Sequence, residues 1–271
     1  MLPFDTYALA ILDELVSYYN ITREKALGLG TRADGRRPDL PGSATCQPVS
    51  GKTMEDIWTA ADRSTQEGVW SFYRELGAWA SFRQCVRQID MLNHHTNVLT
   101  TLQLRSGCHV LEYGCGVAPF AWLLLKNAAQ NAAFSVTLSD VPCEHFEFAK
   151  HRLRVVKEQR NLKNVTLSFV DILPHALPVY QSSIDAALVF EVFEHVPDPV
   201  GAVMNIIKQL RTSGMLVENF IKHEGGKSGP DLDTARTLRV NYYEFLSNVM
   251  TLLTGDIPDV TPNGTRVWCK L

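Results

Sequence analysis

Apolar positions follow two regimes along the chain. Before about residue 105 they recur at helical spacing: Leu9, Leu12, Leu15 and Tyr19, with Asp5, Asp13 and Glu14 between them, predict a helix within residues 4–27. Similar patterns predict helices over 53–66 and 67–104. Beyond residue 105, short apolar runs alternate with helical stretches: Val110-Leu111, Phe134 to Ser139, Val165 to Val170, Ile184 to Phe190 and Met215 to Ile221 read as strands. Gly201 to Leu210 reads as a helix stopped by Thr212-Ser213-Gly214, and Leu238 to Val249 as a later one. A sixth strand is placed near Thr251 to Thr254, and the alternation of Thr265 to Leu271 suits a final one. Strands alternating with helices predict an α/β sheet covered on both faces. The chain thus divides into residues 1–105, a helical extension or lid, and residues 106–271, an α/β domain.

Two parts of the extension need a separate reading. Gly28 to Lys52 is rich in Gly, Pro, Ser and Arg and reads as a long loop, which in compact domains is a binding element, a lid or disordered. Val69, Trp70, Phe72, Tyr73 and Trp79, continued by Phe82, Val86 and Ile89, form an apolar stripe. Such a stripe is first of all a buried face; a substrate wall is the other reading.

The chemistry starts at His109 to Phe120, where an apolar strand meets a helix through a glycine-rich turn that begins with an acid. Gly114 and Gly116 let the backbone turn tightly against a ligand, and Pro119 suits the first turn of a helix. The dinucleotide fingerprint needs glycine where this chain has Pro119, which counts against a nicotinamide cofactor. Glu112-x-Gly114-x-Gly116 instead resembles the first motif of the class I, Rossmann-like S-adenosylmethionine-dependent methyltransferases. Ala118 stands where that family often has a third glycine. Three further matches follow in family order: Asp140 ends the second strand, Asp171-Ile172 ends the third, and Glu191 to Pro199 resembles the Glu-Val-Leu-Glu-His-Val-x-Asp-Pro segment of small-molecule methyltransferases.

This resemblance implies a three-layer sheet of about seven strands whose C-terminal strand enters antiparallel. It implies that S-adenosylmethionine lies on Glu112, Tyr113, Gly114, Cys115 and Gly116, with Glu112 at the amino group of its methionine moiety. Asp140, beside Val141, would take the ribose hydroxyls; Asp171 would read the adenine amino group, Ile172 would pack on the ring, and Phe190, at the end of the fourth strand, is counted among the cofactor-binding residues. Each acid also has a plainer reading, because Asp140 and Asp171 can simply cap the helices that follow them. Cys115 reads as a small filler rather than a nucleophile.

Methyl transfer is an in-line displacement, and a base is needed only where the acceptor must lose a proton. His195 and His223 are the first candidates, ahead of His94 and His95, because they follow the fourth and fifth strands at the edge where open α/β sheets place ligands. Glu191, Glu194 and His195 would share one face if helical and could hold a divalent metal. That arrangement resembles the one in ubiquinone-pathway O-methyltransferases and small-RNA terminal ribose methyltransferases. It also recurs in methyltransferases without a metal, so a metal is not favoured.

Composition narrows the partners. A net charge of −3 gives no general attraction to polyanions, so nucleic acid is not favoured as substrate. Six scattered cysteines suggest a reducing compartment, and the absence of a basic, apolar leader or a bilayer-length apolar run suggests a cytoplasmic protein off the membrane. Neither Gly51-Lys52-Thr53 nor Gly226-Lys227-Ser228 has the earlier glycine of a phosphate loop. The expectation is an S-adenosylmethionine-dependent methyltransferase for a small-molecule acceptor, with the acceptor atom and oligomeric state open. The alternatives are a catalytically inactive binding or regulatory protein of the same fold and, further off, an NAD(P)-dependent oxidoreductase.

Overall fold

A computed structural model describes residues 4–30, 54–102, 104–173, 176–180, 183–222, 231–259, 261 and 264–271. The helical pattern at the N-terminus forms α1 (Phe4–Tyr19) and α2 (Arg23–Gly30), separated at Asn20, whose φ of 52° cannot continue a helix. After α3 (Met54–Ala60), the stretch expected as one helix over 67–104 is three: α4 (Gln66–Leu76), α5 (Ala78–Asp90) and α6 (Leu92–Leu102). Gly77, at φ 54°, makes the first break, and Thr65 caps α4 by accepting a bond from Gly68 N–H at 3.1 Å. Gly28 to Gly30 close α2, and the rest of the 28–52 segment lies outside the described residues.

The α/β part runs β1 (His109–Tyr113), α7 (Pro119–Asn127), β2 (Phe134–Asp140), α8 (Glu144–Gln159), β3 (Val165–Asp171) and β4 (Ile184–Val189). It continues with α9 (Pro199–Gln209), β5 (Leu210–Glu218), α10 (Asp233–Val249), β6 (Met250–Thr254) and β7 (Arg266–Lys270). These strands form one seven-stranded sheet in the order β3-β2-β1-β4-β5-β7-β6. β1 to β5 are parallel, and β7 runs antiparallel between β5 and β6. The central strands carry continuous apolar runs because helices cover both their faces. The order reverses beside β1, so a crevice opens at the carboxyl ends of β1, β2 and β4.

One expectation fails at β5. Thr212-Ser213-Gly214 does not stop a helix but lies inside the strand, where Ser213 takes φ 61° and the register against β4 shifts between Ile184 and Ala186. A bulge accommodates turn-type residues without ending the ladder.

The N-terminal helices share the sheet's hydrophobic core: Tyr7, Ile11 and Leu15 of α1 and Phe82 of α5 are buried with Trp122, Phe148 and Leu153 of α7 and α8. Glu14 fixes this packing. Its carboxylate accepts bonds from Trp122 Nε1 at 2.8 Å and Arg152 Nε at 2.9 Å and meets Lys126 Nζ at 3.1 Å. Arg152, whose side chain is wholly buried, also donates to Gln88 Oε1 and to the Val117 carbonyl. No described helix is long and apolar enough to cross a membrane.

Candidate active site

The glycine-rich turn after β1 is held from two sides. Gly114 and Gly116 have φ of 62° and 54°, and a side chain on either would run into Val192 or Gln84. Ala118, where the resembled family often has glycine, takes φ 55° while fully buried, so it adopts the conformation glycine prefers. Gly114 N–H and Cys115 N–H donate to the Ser139 carbonyl at 2.7 and 3.2 Å, which ties the turn to β2.

The two strand-end acids complete the turn. Glu112 accepts bonds from the N–H groups of Phe120 and Ala121 at 3.3 and 2.8 Å, so it caps the first turn of α7 across space. Asp140 accepts from Gly116 N–H at 2.6 Å and Val141 N–H at 2.7 Å. Burial pushes the Glu112 carboxyl up to about 8 against its backbone donors, and burial raises Asp140 as well. Each carboxylate oxygen here holds one backbone donor and keeps acceptor capacity.

Both acids line a cavity of about 520 Å³ at the carboxyl edge of the sheet. Tyr113, Gly114, Cys115, Gly116, Val141, Ile172 and Phe190 line it too, so the structure brings nearly all the expected cofactor residues together. Asp171 is not among the lining residues; it is about half-exposed and meets Lys150 Nζ at 3.4 Å. Cys115 is fully enclosed, and burial holds its thiol well above the usual range, as suits a filler.

The roof of the cavity comes from α4 and α5. Val69, Trp70, Phe72 and Trp79 are both buried and cavity-lining, so this part of the stripe is core and wall at once. Tyr73 of the stripe lines the cavity too, as do four polar residues of α5 that were not expected at the site: Arg83, Gln84, Arg87 and Gln88. Tyr73 packs edge-on to His145 with ring centroids 6.1 Å apart, and burial together with Asp140 and Glu194 raises its phenol well up. Arg87 ion-pairs with Glu191, linking the roof to the segment after β4.

That segment corrects the metal hypothesis. Only Phe193–His195 is helical, as a single 3₁₀ turn, and Glu191 has φ 55°. Val196 and Asp198 each precede a proline, which disfavours a longer helix. Glu191 therefore turns to Arg87 and donates its N–H to Asn219 Oδ1, while Glu194 is buried. The three groups do not form a ligand set. His195 lines the cavity with Nε2 3.6 Å from Glu194 Oε1, and burial, aided by Glu191 and Asp231, pushes the Glu194 carboxyl well up. His223 lies outside the described residues. Of the second-rank histidines, His95 lines the cavity; burial pushes its imidazole down to about 3, so it is neutral.

Strand order and the glycine turn after β1 define a Rossmann-like fold of the class I methyltransferase type. Residues 104–230 match the family model described as a methyltransferase domain. No curated protein matches the sequence. Among solved structures, the chain is similar to the [4+2]-cyclase SpnF at 20% identity and TM-score 0.47, over 68% of this chain and 63% of that one. It is similar to a SAM-dependent methyltransferase from Geobacter sulfurreducens in complex with S-adenosyl-L-homocysteine at 13% identity and TM-score 0.42, over 60% and 66%. YjhP from E. coli matches at 16% identity and TM-score 0.37, over 46% and 47%. The matched region spans less than two thirds of each of these three chains.

Proposed function

We propose that this protein transfers a methyl group from S-adenosylmethionine to a small-molecule acceptor enclosed between the sheet edge and the roof of α4 and α5. The observation that carries this reading is the pair of buried acids, Glu112 and Asp140, at the ends of neighbouring strands and facing one cavity across the glycine turn. Buried carboxylates with unused acceptor capacity fit a ligand that brings an amino group and hydroxyls. In this reading Glu112 meets the amino group, Asp140 the ribose, and Val141 and Ile172 the adenine ring. Asp171 would have to leave Lys150 to reach the adenine amino group. When bound, the cofactor supplies a methyl group already activated on a sulfonium.

The chain's own part is placement and exclusion of water. A dry enclosed site with reactants held in line can supply most of the rate. The helices before residue 105 serve as the cover. His195, in the cavity wall beside Glu194, takes the acceptor's proton where one must leave. Replacing His195 by Gln should lower kcat by about 100-fold while S-adenosylhomocysteine affinity stays within twofold. Equal activity of the variant across pH 6–9 would remove His195 from the reaction.

The cofactor assignment has a direct test in the Glu112 carboxyl. In the free protein it titrates near 8 and is mostly protonated at pH 7. An ammonium placed against it favours the charged form. Binding of S-adenosylhomocysteine at pH 7 should therefore release protons, read by calorimetry in buffers of different ionisation enthalpy, and Glu112→Gln should abolish that release. Binding without proton release would take Glu112 away from the amino group, and no binding by folded protein would overturn the cofactor reading.

A further inference from the structure

A compact group of polar side chains sits beside the glycine turn. β2 ends at Asp140 and α8 begins at Glu144, so the short link between them gathers Asp140, Cys143 and His145. A carboxylate oxygen, the Cys143 sulfur and a ring nitrogen of His145 all lie within 4.8 Å of one another, and all three residues are buried. Among the described residues no other three His, Cys, Asp or Glu side chains converge in this way. The sulfur is within reach of both ring nitrogens, 3.1 Å from Nε2 and 3.4 Å from Nδ1.

Its surroundings are those that metal ligands need. The N–H groups of Gly116 and Val141 donate to Asp140, one on each oxygen, which fixes the carboxylate's direction and leaves each oxygen a further lone pair. Tyr73 packs edge-on against His145, and Val141 and Phe146 share the core with Cys143. Burial raises the Asp140 carboxyl and the Cys143 thiol and lowers the His145 imidazole. Two groups that ionise readily only against a cation thus meet a neutral imidazole. Asp140 and His145 also line the cavity, which leaves a fourth position on the cavity side.

We infer that Asp140, Cys143 and His145 form a binding site for a zinc-class divalent ion whose fourth position opens on the cavity. One oxygen, one sulfur and one nitrogen donor suit a borderline-soft ion, whereas magnesium and calcium take oxygen ligands. Three protein ligands with one open position are an arrangement that zinc accepts. Binding replaces the S–H bond of Cys143 by a sulfur–metal bond and sends the thiol proton to solvent. Asp140 is also the residue that the proposed function gives to the ribose, so ion and cofactor exclude one another. That exclusion rests on the proposed function; the ion site stands without it.

The experiment titrates the reduced, chelator-treated protein with cobalt(II), whose bond to a thiolate gives a charge-transfer band in the near ultraviolet. One equivalent should produce the band, zinc should bleach it by displacing the cobalt, and a large excess of magnesium should not. Cys143→Ser should remove the band, and His145→Gln should weaken zinc binding by more than the roughly tenfold that a lost outer-shell partner costs. Cys269→Ser, at a partly exposed cysteine of β7, should leave the spectrum unchanged. X-ray absorption of the zinc-loaded parent needs no variant and should read one sulfur beside nitrogen and oxygen. No thiolate band, a band that survives in folded Cys143→Ser, or no sulfur at the zinc overturns the site. S-adenosylhomocysteine should lower zinc affinity by about tenfold or more. Cofactor and ion bound together would keep the ion site and take the ribose off Asp140, and no cofactor binding by the metal-free protein would discard the cofactor reading alone.

Discussion

Asp140→Ala should weaken S-adenosylhomocysteine binding by about a thousandfold, the loss expected when two charge-assisted hydrogen bonds to a ligand disappear together. The carboxylate stands at the end of β2, pinned by Gly116 N–H on one oxygen and Val141 N–H on the other. It thereby fixes both the glycine turn and the direction in which its remaining lone pairs face the cavity. Alanine removes the ligand contacts and also leaves the Gly116 N–H without its acceptor, so the turn loosens as the site is lost. Asp140→Asn keeps the shape and one acceptor oxygen and should lose less. Calorimetry well below the melting temperature separates binding from folding. A folded alanine variant that binds within tenfold of the parent would reduce Asp140 to a structural clasp.

The largest stability effect is expected at Glu218. At the end of β5 this fully buried carboxylate meets Arg266 Nε at 2.7 Å and accepts from Phe220 N–H at 2.7 Å and Trp268 Nε1 at 3.2 Å. Arg266 is equally buried, and its pairing with Glu218 joins β5 to the antiparallel β7. Glu218→Ala leaves that guanidinium enclosed without its counter-charge, which should cost about 3–5 kcal/mol. Equilibrium unfolding in urea reads this as a lower midpoint at nearly constant slope. Replacing both partners, Glu218→Leu with Arg266→Met, should recover most of the loss, because no unpaired charge remains. A single variant within 1 kcal/mol of the parent would show that water reaches Arg266.

The sheet was legible where apolar runs end in an acid. β2 and β3 occupy the expected stretches because Asp140 and Asp171 mark the point where each strand leaves the core. The start of β5 was not legible, since Thr212 to Gly214 has turn composition and only the neighbouring strand keeps it in the ladder. The break at Gly77 was masked by a stripe that keeps helical phase across it, from Phe72 to Trp79. In the site, the acids could be read because they sit beside a recognisable turn. Arg83, Gln84 and Gln88 could not: polar positions on an amphipathic helix ordinarily face water, and only the packing of α5 against α1, α2 and α8 aims them at the cavity. The shared facing of Glu191, Glu194 and His195 was conditional on a helix, and the nearby prolines leave only a single 3₁₀ turn there.

Glu14 changes what the division near residue 105 means. One carboxylate from the first helix is the counter-ion for Arg152 and the acceptor for Trp122, side chains of the two helices that flank the cofactor turn. A chain cut at residue 105 would keep every strand and every acid at the sheet edge, yet it would hold a cation and an indole N–H stripped of their partner under newly exposed apolar surface. In the proposed function the boundary separates two jobs, gripping the cofactor and enclosing the acceptor, while the shared core and Glu14 join the two parts into one body. On that proposal, acceptor choice varies by substitution within the roof, because replacing the roof whole would undermine the floor.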